Sequence, residues 1–264
     1  MAPIIRGTRI VHDGWSRFLV AEVTMDDGTR LAREIEDHGR ATAVLPYDPT
    51  RRVALLVEQF RTPAFYAAGV ISVLEVPAGL LDESEPEEGA RREAYEETGL
   101  RLGALEPVTC GWSMPGISTE QMDLFLAPYE APDRVGPGGG LAGEHEDITV
   151  REMALSELAA MTDRGEVTDI KTLALILTLR LRHPHLFAAA TGRTHLHRVT
   201  EDERPAGARG AGRQRRRPGG GGAGDPPRPA GRAAGGRAGD LRRAAGASGA
   251  HRRGRRYRGA CRSA

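Results

Sequence analysis

The sequence predicts a mixed α/β fold, and three observations point there. Two short apolar runs of strand character, RVALLVEQF at 52–60 and VISVLEV at 70–76, precede a segment of helical character at 86–98. Asp27-Gly28 separates two loosely alternating stretches, WSRFLVAEVTM and TRLAREIEDHG, as a hairpin turn does. Two more helix-like segments, LSELAAMTD and DIKTLALILTLRLR, follow a last strand candidate, ITVREM.

Taken in order, residues 1–40 read as strands and turns, a small N-terminal antiparallel β segment. The strand candidate at 70–76 is broken by Pro77-Ala78-Gly79. The helix at 86–98 opens with Pro86 and acids, which suit a first turn, and ends before Gly99, which suits a C-terminal cap. LEPVTCGW and QMDLFLAPY read as further strands, and Trp112 as a core residue. APDRVGPGGGLAGEHED is a long Gly-rich loop, of a kind that is usually functional or disordered. In the final helix Leu173, Ile176, Leu177 and Arg180 fall at helical spacing, and His183 and His185 beyond it read as surface residues.

After about residue 190 the pattern stops. The stretch RGAGRQRRRPGGGGAGDPPRPAGRAAGGRAGD has too few branched or aromatic residues to offset chain entropy and is expected to be disordered. The charge divides at the same place. Residues 1–190 carry 18 Lys and Arg against 31 Asp and Glu, whereas residues 191–264 carry 19 against 5. A basic Gly/Arg arm can hold RNA, but such arms interleave aromatics, and here only Tyr257 is present. Its Arg, Gly, Ala and Pro mixture suits an extension without function, so nucleic acid is not an expected partner. Cys110 and Cys261 give neither a disulfide framework nor a metal-ligand spacing. The start MAPIIRGTRIV lacks the apolar run of a signal peptide, and no stretch approaches a membrane span. A cytoplasmic setting is therefore expected.

The chemistry concentrates in GLLDESEPEEGARREAYEETGL, starting at Gly79. On a helix Glu93 and Glu97 lie about 40° apart, and Glu96 about 60° from Glu93 on the other side. Like charges at this spacing repel, and a divalent cation turns the repulsion into attraction. Hard oxygen ligands with sites left for water and phosphate suit Mg²⁺. Ala90 and Ala94 form a small-residue stripe able to pack closely on a sheet. An acidic helix face paired with Arg91 and Arg92 is the plainer alternative for an isolated EAYEE run.

The run is not isolated. Gly79, Glu85, Arg92-Glu93, Glu96-Glu97 and Gly99-Leu100 together resemble the signature of the Nudix hydrolase family. The interval from Gly79 to Arg92 is a residue shorter than the usual pattern, as in the GDP-mannose pyrophosphatase subfamily. The likeness to that subfamily extends over roughly residues 10–182. Gln59-Phe60-Arg61 resembles its QFR strand end, and Met114-Pro115-Gly116 with Thr119-Glu120 its SPGG-x-TE loop. Gly138-Gly139-Gly140 with Glu144, Glu146 and Asp147 resembles its Gly-rich loop with acids. Gly165-Glu166 with Asp169 and Lys171 resembles its GEIRDGK segment. ADP-ribose pyrophosphatases share part of this layout.

The resemblance implies a Nudix α/β/α sandwich (residues 41–190) preceded by the small β segment (1–40) and followed by the tail (191–264). It implies Mg²⁺, with Mn²⁺ as a substitute, held by the Ala78 carbonyl, Glu93, Glu97 and Glu146, with Glu96 as a further ligand, direct or through water. Glu146 or Glu144 would be the general base. Arg61 and Lys171 would hold phosphate oxygens, and Gly79 and Glu120 would contact substrate. Glu85 and Arg92 would form a structural pair. Trp15, Arg33 and Glu34 would reach the nucleotide across a homodimer, although Trp15 serves equally well as an ordinary core or interface aromatic. The implied activity is hydrolysis of a nucleoside diphosphate sugar, GDP-mannose giving GMP and mannose 1-phosphate, with ADP-ribose as the alternative. A non-catalytic sensor of nucleotide sugars is the rival of another class, and the intact Glu93, Glu96 and Glu97 argue against it.

Overall fold

The computed structural model describes residues 2–81, 84–141 and 147–188. Glu144, Glu146, Cys261 and all of the 191–264 segment lie outside the described residues. Among the described residues no helix is long and apolar enough to cross a membrane.

Three antiparallel strands come first: β1 (Ile4–Asp13), β2 (Arg17–Thr24) and β3 (Arg30–Asp37). The Asp27-Gly28 turn joins β2 to β3, whose residues pair in unbroken register from Thr24↔Arg30 to Arg17↔Asp37. Along β1, Ile5, Ile10 and Val11 remain exposed.

The second sheet is built on β4 (Arg40–Asp48). Its order is β10-β5-β4-β9-β8, with β5 (Val53–Gln59), β8 (Glu106–Trp112), β9 (Gln121–Pro128) and β10 (Thr149–Ala154). β4 runs parallel to β9 on one edge. Its other edge is divided. Tyr47 and Asp48 pair with β5, while Arg40 to Ala43 pair with β7 (Ala78–Leu81). A three-residue strand, β6 (Val73–Glu75), adds to β5 just before β7. The chain thus crosses from one strand of the sheet to another between Glu75 and Ala78.

Side-chain alternation on β4 and β5 makes the sandwich. Ala43, Leu45, Tyr47, Ala54 and Leu56 face one way, into a core with α3 (Leu155–Asp163) and α4 (Ile170–Arg182). Val44 and Leu55 face the other way, against Ala90 and Ala94 of α2 (Pro86–Thr98). Both faces of these strands are dry, which explains their near-continuous apolar character. The alanine stripe of α2 is fully buried, as its small size allows.

The structure departs from the expected strands and core in four places. A short helix, α1 (Thr62–Ala68), precedes β6, so the strand expected over 70–76 shrinks to three residues. No α1 residue is buried, and a helix without an apolar stripe gives no periodic signal. β4 is central although its sequence does not announce a strand. Its Pro46 reads as a strand breaker, yet it stands in the gap where neither β5 nor β7 pairs with that edge. Ala78–Leu81 is a strand rather than only a break. Trp112 is not core: it lies on β8 and is 56% exposed.

One polar joint ties β3 to the turn before β9. His38 lies between Glu36 (2.6 Å) and Glu120 (2.9 Å). Ser118 Oγ donates to Glu36 at 2.7 Å, and Thr119 Oγ1 to Asp37 at 2.8 Å. Burial acts to lower the His38 pKa, but hydrogen bonds and charges of Glu120 and Glu36 raise it above its ordinary 6.5. Burial acts to raise Glu36, but Ser118 and His38 hold it below its ordinary 4.5. A raised His stabilises fully below its unfolded value and loses that contribution as pH rises through the folded one. A depressed Glu stabilises above its unfolded value and loses the contribution as pH falls through its folded one. The joint is therefore strongest between about pH 4.5 and 6.5. Thermal unfolding from pH 6 to 9 should show a falling Tm in the wild type and a flatter profile in His38→Gln; parallel profiles would exclude this linkage.

Candidate active site

The site is assembled where the chain crosses the divided edge of β4. The crossing is fixed at both of its residues. The Val76 N–H donates to Thr172 Oγ1 at 2.8 Å, and the Pro77 carbonyl accepts from Val44 N–H at 3.0 Å. Thr172 belongs to the first turn of α4. Its hydroxyl donates to Asp169 at 2.6 Å, and Asp169 caps the helix by accepting the Thr172 N–H at 3.0 Å. One end of α4 is thereby pinned against the crossing.

α2 supplies the carboxylates. Pro86 opens it, Glu87 and Glu88 favour its positive end, and Gly99 closes it at φ 74°. Glu93 points back toward β7. A Cβ added to Gly79 would stand 2.3 Å from the Glu93 carboxylate carbon and 2.4–2.5 Å from its oxygens. Only glycine lets the carboxylate lie on the strand backbone there. Arg92 holds Glu93 at 2.7 Å, donates to the Leu80 carbonyl at 3.0 Å, and stands 4.0 Å from Glu96. Arg91 pairs with Glu87 at 3.2 Å. The expected Glu85–Arg92 pair does not form: Glu85 is the residue before α2, and its carbonyl accepts from Gly89 at 3.0 Å. Glu97 is 3% exposed, the most buried of the three helix acids.

The cations expected to hold phosphate converge on an acid that the sequence reading passed over. Glu75, also 3% exposed, accepts from Arg61 Nε at 2.7 Å and Nη2 at 3.0 Å, and from Lys171 Nζ at 2.5 Å. Lys171 also meets Asp169 at 3.0 Å. Burial alone would raise the Glu75 pKa, but Arg61 and Lys171 hold it below the usual carboxylate range. Burial acts against the Arg61 charge, yet Glu75, and then Glu97 and Asp169, raise its pKa. Arg61 is thus electrostatically coupled to both the crossing and α2. A lone acid inside VISVLEV was the available signal for Glu75, since a charge in an apolar strand requires partners.

Ala78 and Gly79 are half-buried on β7, facing β4. Glu120 belongs to the His38 joint, at a distance in sequence from the box. Trp15 is 80% exposed in the β1–β2 turn and stacks on the His38 ring, with centroids 5.2 Å apart. Arg33 and Glu34 are exposed on β3 and help line a cavity of about 390 Å³ with Val20, Ala32, Gly116 and Ile117. His183 is not a bare surface residue: it meets Glu106 at 3.3 Å and the Tyr47 ring at 5.9 Å.

The donors are hard carboxylate and carbonyl oxygens on one helix face and the adjoining strand, a set that fits Mg²⁺ or a similar ion. The Glu93 carboxylate occupies the glycine-lined space beside β7, as a ligand shared with a strand carbonyl would. Among the described residues no group of three or more His, Cys, Asp or Glu stands in metal-holding geometry, and Glu93 is engaged by Arg92.

Known proteins share this architecture. A domain model described as "NUDIX domain" matches residues 37–175. The chain is 39% identical over 169 residues to the GDP-mannose pyrophosphatase of Cronobacter sakazakii, covering 63% of this chain and 87% of that protein. It is 38% identical over 148 residues to a protein of the same name from Pectobacterium atrosepticum, covering 56% and 76%. The Escherichia coli protein of that name is 35% identical over 165 residues, covering 61% and 85%. A solved structure described as an ADP compounds hydrolase superposes with a TM-score of 0.56 at 18% identity, over 70% of this chain and 96% of that one, a likeness of fold. With a domain match over more than half of its length and relatives of this identity, the chain belongs to the Nudix family.

Proposed function

We propose that this chain is a hydrolase that cleaves the diphosphate bond of a nucleoside diphosphate sugar, with GDP-mannose the favoured substrate and GMP and mannose 1-phosphate the products. The observation that carries the reading is the site at the crossing. Glu93 lies on Gly79, Glu97 is buried on the same helix, and Arg61 and Lys171 converge beside them. The names of the relatives at 35–39% identity support the substrate.

Ala78 through its carbonyl, Glu93 and Glu97 would hold Mg²⁺, with Glu96 as a further ligand. Bound there, the cation would neutralise the diphosphate and make water a better nucleophile. Arg61 can grip a phosphate through two parallel hydrogen bonds, and Lys171 acts as a point charge. Both now hold Glu75, so they are already gathered before substrate arrives, which lowers the entropy lost on binding. Glu75 is a positioning residue in this reading. Glu144 or Glu146 is the proposed general base, and Trp15, Arg33, Glu34 and Glu120 are proposed to contact nucleotide or sugar within a homodimer.

Four outcomes test this. Purified protein with Mg²⁺ should cleave GDP-mannose faster than ADP-ribose; cleavage of neither would sink the proposal, and the reverse order would move it to the ADP-ribose branch. Glu97→Gln should cost more than the roughly 10–100-fold typical of groups that only orient metal ligands; a variant as fast as wild type would refute the metal role. Glu75→Gln should raise KM about tenfold or more and leave the affinity for Mn²⁺ little changed, because it releases the phosphate-holding cations rather than the helix acids; an unchanged KM would remove Glu75 from the site. Light scattering should give a dimer mass, and a monomer would remove the cross-subunit roles of Trp15 and Arg33.

A further inference from the structure

The last turn of α2 has an unfavourable design. Glu96 and Glu97 sit at the negative end of the helix dipole, where acids are disfavoured. The last four carbonyls of the helix also lack partners within it. A turn with these two handicaps frays, yet it carries the carboxylates on which the proposed chemistry depends.

The segment after β9 removes the second handicap. It begins with a short 3-10 turn (Ala131–Asp133) and then follows the end of α2 backbone against backbone. Arg101 N–H donates to Asp133 O at 2.9 Å. Val135 and Gly136 N–H both donate to Gly99 O, at 2.9 and 3.2 Å. Gly139 N–H donates to Glu97 O at 2.8 Å, and Gly140 N–H to Glu96 O at 3.1 Å. The carbonyls of the two acidic residues themselves are the ones capped.

Only glycine permits this approach. Gly138, Gly139 and Gly140 have φ of 69°, 107° and 79°. A Cβ on Gly138 would stand 2.4 Å from Glu97 O and 2.6 Å from Thr98 Cα. On the opposite side, a Cβ on Gly99 would stand 2.1 Å from Gly136 O. These obstacles are main-chain atoms, which cannot swing aside as a side chain would. Gly69 has the same backbone angle, φ 68°, but a Cβ there meets nothing within 4 Å.

We propose that Gly138, Gly139 and Gly140 are positioning residues for the proposed metal-binding turn, holding Glu96 and Glu97 in place by capping their carbonyls before any cation binds. The inference rests on the metal role proposed above for α2. It assigns the triple glycine a task at the helix end, in place of a merely flexible loop.

Hydrogen exchange on the full chain without metal tests the junction directly. The amides of Gly139 and Gly140 should be protected in the wild type, and exchange at the rate of an open loop would overturn the proposal without any variant. Gly138→Ala should expose the Gly139 and Gly140 amides and weaken Mn²⁺ binding, read by titration, by about 10–100-fold, the range for groups that orient ligands. Gly69→Ala introduces the same backbone strain without the collision and should bind Mn²⁺ as the wild type does. Equal Mn²⁺ affinity in Gly138→Ala and wild type, or an equal loss in both variants, would overturn the proposal. If Gly138→Ala does not fold, wild-type exchange decides. Protected glycine amides in a wild type that cleaves no nucleotide sugar would leave the junction standing and defeat the catalytic reading alone.

Discussion

The site depends on a backbone constraint more than on any side chain. Between Val76 and Pro77 the chain leaves β5 and joins β4, and at that step neither residue has a strand partner of its own. A buried main-chain group without a partner costs about 1–3 kcal/mol. The Val76 N–H is satisfied by a hydroxyl from α4, and the Pro77 carbonyl by the N–H of Val44 in the split of β4. Pro77 itself has no N–H to satisfy. This pair of bonds sets β7 against α2, and it sets α4 against Glu75. Each functional group described above is placed relative to that step.

Charge follows geometry. Five acids (Glu75, Glu93, Glu96, Glu97 and Asp169) and three cations (Arg61, Arg92 and Lys171) meet around the crossing. The buried Glu75 is stabilised only by having both Arg61 and Lys171 as partners, and truncating one member of such a buried network is strongly destabilising. The pairing of Arg92 with Glu93 performs the same service on the other side. The three cations thereby offset part of the acidic charge, and they hold the Glu75 carboxylate below the usual range in spite of its burial.

Much of this was legible in the sequence, and the reasons are local. Helical spacing alone places Glu93, Glu96 and Glu97 on one arc, and the burial of Ala90 and Ala94 follows from their size. The resemblance supplied Arg61 and Lys171, which lie far apart along the chain and which no periodicity connects. As a lone acid in an apolar strand Glu75 calls for partners, but which ones was not legible, because they arrive from the residue before α1 and from α4. β4 was not legible because Pro46 contradicts a central strand unless the gap in its edge is known. Trp112 was misplaced because large aromatic residues are often buried, and position on the outer strand β8 overrides that tendency. The Gly-rich loop was legible as a loop by its length and composition, but the close approach of Gly138 to a helix end has no one-dimensional signature.

The grip of Arg61 and Lys171 on Glu75 has a thermodynamic corollary. In the proposed reading an incoming phosphate does not meet bare cations; it joins a carboxylate that stays seated on them and offsets part of their charge. Salt screens the repulsion from Glu75 as well as the attraction to the cations, so ionic strength enters as a difference. Affinity for the diphosphate then varies less with salt than for a site of uncompensated cations.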